Sequence, residues 1–208
     1  MAFNIDQFKA TGLNNGGVRP SLFQVVMTGV PSQEVGFTDK FTFTCKASTI
    51  PASTVQQIEV PYFGRQIKLS GDRTFDNWNV TVMNDEDYIV RSSFEKWMNN
   101  INSHVSNLKA QSAYKINAQI YQYSKAGNNT QNIIRAYTFV GLFPVSVDAM
   151  TVDWGQTNQV QEFGVTFAYD YWLPSSPTFD NSSFNSGQLN TNSLAGSVAG
   201  TSASSNPQ

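Results

Sequence analysis

The order of apolar and polar residues changes its period between residues 71 and 107, which predicts a strand followed by a helix. Trp78, Val80 and Val82 alternate with polar residues, as in a strand with one buried face. The acidic run 85–87 offers capping side chains and the negative charge that suits a helix N-terminus. We therefore predict a helix over 85–108. Its apolar stripe consists of Val90, Phe94, Trp97, Met98, Ile101, Val105 and Leu108.

Alternating patterns in the rest of the chain predict a protein made mainly of strands. The predicted strands cover 22–28, 41–49, 54–60, 62–69, 115–123, 133–140, 143–147 and 160–172. Turns are expected at Gly71-Asp72 and at 127–129, and Pro144 is expected at a sheet edge. Many strands and a single helix predict a mainly β fold, an antiparallel β-sandwich or barrel with one amphipathic α-helix packed on it.

Composition divides the chain into three regions. Residues 1–20 form a polar N-terminal arm, residues 21–173 a β-domain, and residues 174–208 a low-complexity tail rich in Ser and Asn. The tail contains few apolar residues, so we expect it to bury little surface and to be dispensable for assembly.

The predicted strands suggest a way for copies of the chain to associate. Residues 115–123 and 160–172 carry few charges, and charge is one means by which proteins protect exposed sheet edges. We expect these edges to pair between copies. One such contact can close into a ring, and a second contact that does not close builds a filament.

The composition suits a surface that is largely covered in an assembly. Hydrophobic residues make up 40% of the 208 residues, which is enough for a packed core, whereas charged residues make up only 13%, about half of the usual share. A simple preference for Asn and Gln would give the same numbers. The net charge is −2 and no Lys/Arg block occurs, so tight binding of nucleic acid is disfavoured.

Residues for catalysis or metal binding are scarce. The single histidine, His104, and the single cysteine, Cys45, show no triad or zinc-ligand spacing. Cys45 is expected to be buried and inert, in phase with Phe41 and Phe43. The acidic run 85–87 could bind a hard cation, but capping explains it better. We expect no enzyme, cofactor or metal. Without a signal-peptide pattern or an apolar run of about 20 residues, we also expect no membrane insertion and a cytoplasmic location before assembly.

Several short segments together resemble the tail tube protein family of contractile-tailed, T-even-like bacteriophages. They are G-D-R-T-F at 71–75, N-D-E-D-Y at 84–88 and F-E-K-W-M-N at 94–99, with I-P-A-S-T-V at 50–55 and Y-F-G-R at 62–65. The resemblance covers roughly residues 21–173. It implies a fold of the tail-tube or secretion-tube type and a structural subunit. Six copies would form a ring, and stacked rings would conduct DNA during injection.

The resemblance also implies partners and a location. The partners are other copies of the chain, the tail sheath protein, the baseplate tube initiator, and the tape measure and tail terminator proteins. DNA would pass through the lumen without specific binding. The protein would belong to the phage tail of the virion, assembled in the host cytoplasm.

Two groups of residues follow as candidates for assembly. A motif for fold and assembly is expected at Gly71, Asp72, Arg73, Phe75, Asp85, Glu86, Asp87, Phe94 and Trp97, with Arg73 paired inside the subunit or across a ring contact. The lumen is expected to be lined by the strands at 115–123 and at 133–140 or 160–172. Candidates facing it are Gln119, Gln122 and Glu162, whereas Lys115, Lys125 and Arg135 should lie at loop ends, be paired or face other subunits.

Two other functions remain open on the sequence. The inner-tube protein of a bacterial contractile secretion system, or a baseplate tube initiator, would share the fold. A glycan-binding β-sandwich module could use Tyr121, Tyr123 and Tyr137 as a stacking platform. Subunit packing is the simpler account of these tyrosines, because most aromatic residues here lie in alternating strands and not in loops.

Overall fold

The architecture consists of two antiparallel sheets that share one long strand, together with a separate two-stranded ribbon. The computed structural model describes residues 4–13, 16–109, 114–125 and 133–175. The helices are α1 (Ile5–Gln7), which continues into a π-helical turn (Phe8–Gly12), α2 (Phe37–Thr44) and α3 (Ile89–Ile101). The strands are β1 (Phe23–Thr28), β2 (Cys45–Ser48), β3 (Thr54–Tyr62), β4 (Arg65–Thr74), β5 (Trp78–Met83), β6 (Ile116–Tyr123), β7 (Ile133–Val147), β8 (Glu162–Ala168) and β9 (Tyr171–Ser175).

Strand β7 belongs to both sheets. Its first part pairs with β6 and β9, and its last part, from Phe143, pairs with β8. The first sheet therefore has the order β1-β6-β7-β9, and the second has the order β2-β5-β8-β7. The pairing of β7 with β6 is irregular next to Gly141, whose φ of +71° suits glycine. A single strand thus covalently joins the two layers.

The core lies between these sheets and is rich in aromatic residues. Trp78 of the second sheet stacks on Phe139 of the first with ring centroids 4.3 Å apart. Phe94 of α3 packs edge-on against Phe167 at 5.7 Å. Buried apolar residues from both sheets and from α2 and α3 form one contiguous cluster, so the helices close the sandwich and do not stand apart from it.

Helix α3 is shorter than predicted at both ends. It begins at Ile89 after Tyr88, whose φ is +53°, and it ends at Ile101. Val90, Phe94 and Trp97 are buried as predicted. Beyond the helix the chain turns extended at Asn102, so the predicted stripe residues Val105 and Leu108 are exposed. Asn and Ser, which compete for backbone hydrogen bonds, are frequent at this end and favour termination.

The acidic run 85–87 does not cap α3, so that prediction is wrong. It forms a turn in which the Tyr88 N–H donates to the Asp85 carbonyl, and the first turn of α3 contains no acidic residue. The carboxylates of Asp85 and Asp87 bind Lys40 instead. A full positive charge attracts a carboxylate more strongly than the partial charge of a helix end does.

The strand predicted over 41–49 is also wrong in its first half, because α2 occupies Phe37–Thr44. Phe37 and Phe41 are one helical turn apart, stack on each other at 5.6 Å and contact Phe94. Phe43 points away and is 81% exposed. Contact with α3 therefore overrides the β preference of Phe and Thr. Cys45 is only partly buried and packs against the core, and burial raises the pKa of its thiol to about 12.

Three further sequence predictions concern the edges and ends of the sheets. Strands β6 and β8 have a neighbour on each side, so the expected free edges at 115–123 and 160–172 are wrong except at β9. Pro144 lies at a sheet edge, as predicted. It belongs to the part of β7 that pairs with β8, and this part is the last strand of the second sheet. The predicted turn at 127–129 and the tail beyond 175 lie outside the described residues.

None of the described helices is long and apolar enough to cross a membrane.

Candidate assembly surface

The described residues offer no evident chemical site. In the part of the chain that the structure describes, no group of three or more His, Cys, Asp or Glu side chains could hold a metal ion. A cleft of about 890 Å³ beside β8 has neither histidine nor cysteine in its lining. His104 is exposed beyond the end of α3.

The acidic run 85–87, in the turn before α3, forms ion pairs with Lys40 of α2. Lys40 Nζ lies 2.6 Å from Asp85 Oδ2 and also contacts Asp87. The hydrogen bond from Lys40 lowers the pKa of Asp85, and hydrogen bonds to Asp85 and Asp87 raise the pKa of Lys40. Because the Asp85 pKa is lowered in the folded state, this contribution to stability is present at neutral pH and is lost as the pH falls through that pKa.

The ribbon, defined as β3, β4 and the tip residues Phe63 and Gly64, has the features of an assembly surface. Among the described strands, β3 and β4 pair only with each other and are separate from the two main sheets. Every side chain of β3 is exposed, and so is every residue of β4 except Gly71. An isolated two-stranded hairpin is marginally stable in water, so this ribbon is a candidate for covering by another copy.

The cross-strand register gives the ribbon one apolar face and one polar face. On the apolar face Ile58 lies opposite Leu69 and Val60 lies opposite Ile67. The alternate positions on the other face pair Gln57 with Ser70, Glu59 with Lys68 and Pro61 with Gln66. A contiguous exposed apolar face on a projecting element is typical of a protein–protein contact.

Gly71 and Asp72 lie in the ribbon and do not form the predicted turn. The register shifts between Val55 and Gln57, so that Gly71 and Asp72 fall in an irregular segment of β4 near the ribbon's root. A Cβ atom on Gly71 would approach the Gln56 carbonyl oxygen to 3.0 Å. The glycine therefore permits close approach of the two strands at the bulge.

The structure divides the predicted motif for fold and assembly among three places. Arg73 is exposed in the ribbon, and Phe75 packs near its root against Tyr169, with ring centroids 6.0 Å apart. Asp85, Glu86 and Asp87 form the turn before α3, where Glu86 is exposed and the two aspartates hold Lys40. Phe94 and Trp97 are core residues. The ribbon members and the exposed turn residues can therefore contact another copy, whereas Phe94 and Trp97 cannot.

Replacement of Arg73 with alanine is expected to weaken the association of subunits without unfolding them. Arg73 lies opposite Val55 and is exposed, and no described residue forms an ion pair with it. We therefore expect it to bind an acidic group of another copy. Losing a charge-assisted contact typically costs about 1.5–3 kcal/mol. Electron microscopy across a salt series would measure tube stability. Lys68→Ala is the matched control, since Lys68 already has Glu59 at 3.8 Å. Tubes as stable as the parent's would contradict the assignment.

The three candidate lumen residues do not lie on one surface. Gln119 lies on the outer face of the first sheet, in a hydrogen-bonded network with Tyr121 and Thr138. Gln122 lies three residues along β6 and lines a small cavity at the end of the sandwich. Glu162 belongs to the second sheet and binds Lys46 at 2.6 Å. The lumen hypothesis therefore rests on Gln119 alone among these three.

The outer face of the first sheet is uncharged. Strands β1, β6 and β9 contain no charged residue, and β7 contains only Arg135. Arg135 is paired in register with Gln122 and lies 5.3 Å from the Tyr137 ring, on the other side of the sheet from Gln119. Lys115 is at the strand end and binds Asp170 at 2.7 Å, as expected of it. Lys125 follows β6 and is exposed.

The ribbon was not identified as the principal assembly surface from the sequence. The signal was present in the alternation of Ile58, Val60 and Tyr62 on one side and of Ile67 and Leu69 on the other. Between them lies a two-residue loop, Phe63-Gly64, and such loops connect hairpin strands. A hairpin that is apolar on one face and lies outside the main sheets could have been proposed from that pattern.

Comparison with known proteins gives consistent matches in sequence. The description of the matching family is phage tail tube protein, and its profile covers residues 13–175. Tail tube protein gp19 of Enterobacteria phage T4 is 36% identical over 156 residues, which is 74% of this chain and 90% of that protein. Tail tube protein gp19 of Enterobacteria phage T6 matches with the same identity and coverage.

Comparison of structures gives the same fold at lower sequence identity. A chain of the PVC sheath-tube complex, from an extracellular contractile injection system in its extended state, matches with a TM-score of 0.51 at 14% identity. The match covers 84% of this chain and 99% of that one. A chain of the PVC sheath/tube terminator matches with a TM-score of 0.56 at 15% identity, over 76% of this chain and 96% of that one. At these identities the likeness concerns the fold.

Proposed function

The chain belongs to the phage tail tube protein family and is a structural subunit of a phage tail, and on that premise we propose that it forms hexameric rings which stack into a DNA-conducting tube. The observation that carries the assembly step is the ribbon. Its apolar face, Ile58 with Leu69 and Val60 with Ile67, is exposed in the subunit. Contact with another copy would bury that face and remove it from water.

The ends of the first sheet supply the ring contact in this proposal. Strand β1 pairs only with β6 and strand β9 only with β7 among the described strands. Neither β1 nor β9 contains a charged residue, so neither edge is protected by charge. Pairing β1 of one copy with β9 of the next would continue the sheet around a ring and remove both edges.

The uncharged outer face of the first sheet would then line the lumen. It presents amides and hydroxyls, including Gln119, Tyr121 and Thr138, which are already hydrogen-bonded to one another. A lining without clustered Lys or Arg cannot neutralise phosphates, so DNA would slide past it without being held. Gln122 and Glu162 are left out of this lining because they lie elsewhere.

The partners and the place of assembly complete the proposal. The solved relatives include a sheath-tube complex and a sheath/tube terminator. By analogy the tube would contact the tail sheath protein, the baseplate tube initiator, the tape measure and the tail terminator. Assembly would take place in the host cytoplasm. We infer no enzymatic activity, since the role of a tube subunit is fulfilled by binding other copies.

Electron microscopy of the purified protein tests the proposal directly. Rings and tubes should appear as the protein concentration rises, and a structure of the tube should show the first sheet facing the lumen. A protein that stays monomeric at every concentration would overturn the assembly proposal. A lumen lined continuously by Lys and Arg would overturn the account of DNA passage and leave assembly intact. A separate glycan-binding role would show as saturable binding to a glycan array.

Removal of residues 176–208 is expected to leave tubes of unchanged diameter. The family match ends at residue 175, and the removed segment contains few apolar residues, so it can contribute little burial to a contact. The cut begins after Ser175 because Ser175 pairs with Ala136 at the edge of the first sheet. Tube diameter would be measured by electron microscopy. Loss of tubes would show that the tail folds at an interface between copies.

A further inference from the structure

The tip of the ribbon exposes an aromatic ring in an unfavourable backbone conformation. Phe63 is 91% exposed and has a φ of +42°, followed by Gly64 with a φ of +76°. Two-residue hairpin loops with positive φ at both positions favour Asn-Gly or Asp-Gly, and bulky residues are rare there. The Phe63 ring contacts the Tyr62 ring edge-on at 4.7 Å. That contact leaves the Phe63 side chain almost fully exposed, so burial within the subunit does not account for phenylalanine at this tip.

A small apolar cavity lies at the opposite end of the ribbon, where the ribbon joins the sandwich. It measures about 120 Å³, and its mainly apolar lining comprises Pro20, Phe23, Ile50, Ile120 and Tyr137 together with the polar residues Ser48, Thr49 and Gln122. Thr49 and Ile50 of its lining come just before β3, and Ile50 is 51% exposed. Apolar cavities of about 150 Å³ remain dry and bind benzene, so the size and lining suit one phenyl ring.

We propose that the Phe63 ring of one copy enters this cavity at the ribbon root of the next copy. A chain cannot fill its own cavity in this way. Strand β3 has nine residues, which at about 3.3 Å per residue separate tip and root by roughly 30 Å. The contact is head-to-tail and does not close on itself, so it repeats along the direction of the ribbon. This inference rests on the proposed tube function and specifies the contact between successive subunits along the tube.

Cross-linking tests the contact between tip and root. Phe63→Cys and Ile50→Cys, combined in one chain, should be joined between copies by a short bis-maleimide and give a ladder of covalent multimers. The native Cys45 thiol stays protonated near neutral pH because burial raises its pKa to about 12, so it adds little background. The matched control is Phe43→Cys with Ile50→Cys, since Phe43 is also an exposed aromatic residue, on α2.

The outcomes separate this inference from the proposed function. Tubes with a ladder specific to the Phe63→Cys pair support the contact. Tubes without that ladder, or with an equal ladder from the Phe43→Cys control, overturn the contact and leave the tube function standing. If the unsubstituted protein forms no tubes, the proposed function fails, and this contact fails with it.

Thiol labelling of Ile50→Cys alone tests whether the cavity becomes covered when tubes form. We expect maleimide to label it in dispersed subunits and to be blocked in tubes. Labelling in both states would mean that the cavity stays open. Protection in both states would mean that the chain covers its own cavity. Either result overturns the proposal.

Phe63→Asn separates a role of Phe63 in assembly from a role in the stability of the subunit. Asparagine tolerates positive φ better than phenylalanine does, so the melting temperature of the dispersed subunit should be unchanged or higher. The protein concentration needed for tubes should rise roughly tenfold or more, since a buried aromatic ring is lost from every contact along the tube. Assembly at the parent concentration, or a lower melting temperature of the subunit, would contradict the inference.

Discussion

Aspartate in place of Ile67 is expected to abolish tube assembly while the subunit remains folded. Ile67 lies opposite Val60 on the apolar face of the ribbon and is 48% exposed. It is absent from the core cluster, so the sandwich does not depend on it. A carboxylate buried without a partner at a contact costs several kcal/mol, and the cost recurs at every contact in the tube. Electron microscopy and sedimentation would measure assembly, and thermal melting would measure folding.

Gln66→Asp is the matched control for the ribbon. It adds the same charge to the neighbouring residue of β4, which pairs with Pro61 on the polar face. We expect this variant to form tubes. Tubes from Ile67→Asp would show that the apolar face is not an assembly contact, and an unfolded Ile67→Asp subunit would show that the ribbon is part of the core. If neither variant assembles, a negative charge on either face of the ribbon blocks assembly, and the apolar face has no special role.

Alanine in place of Trp97 is expected to destabilise the subunit by about 3–5 kcal/mol. The Trp97 side chain is fully buried, and its Nε1–H donates to the Tyr114 carbonyl oxygen at 2.8 Å. Its ring packs near those of Phe94 and Phe167. Substitution leaves a cavity and an unpaired carbonyl group. For a domain of this size the melting temperature should fall by roughly 6–20 °C, and urea unfolding would give the free energy.

Leu108→Ala is the control for that substitution, because both residues belong to the same predicted apolar stripe. Leu108 is 72% exposed beyond the end of α3, so its truncation should change the unfolding free energy by less than about 0.5 kcal/mol. Equal losses for the two variants would mean that the helix continues to residue 108. A Trp97→Ala subunit that melts like the parent would contradict the burial of Trp97.

The sequence predicted those elements whose two faces differ in burial within one subunit. Strand β5, with Trp78, Val80 and Val82, and strand β6, with Ile116 and Ala118, each have one buried face. Alternation records that contrast directly. The same holds for the buried residues of α3. The expected fold class, a mainly antiparallel β protein with a packed amphipathic helix, is confirmed.

Elements determined by distant contacts were not predicted. Phe37 and Phe41 form a helix because both rings meet Phe94, which is more than fifty residues away in sequence. Likewise, Lys40 takes the carboxylates that a local pattern assigned to capping. Local periodicity contains no information about such partners.

The candidate site was only partly accessible to sequence reasoning, for a related reason. Both faces of the ribbon are exposed in the subunit. A sequence pattern that is read for one buried face therefore does not distinguish its strands clearly from loops. The resemblance in segments 50–55, 62–65 and 71–75 marked the region without indicating a projecting hairpin. Which copy covers which face is a property of the assembly, and the alternation within one chain does not encode it.

The sharing of β7 between both sheets has a mechanical consequence. A force that pulls the two layers apart is carried by the covalent backbone through Gly141, and not by side-chain contacts alone. On either side of that point, hydrogen bonds to β6, β8 and β9 resist sliding of β7 along its own axis. At β7 the two layers therefore cannot separate without breaking these hydrogen bonds or straining the backbone, a restraint that an apolar core alone does not provide.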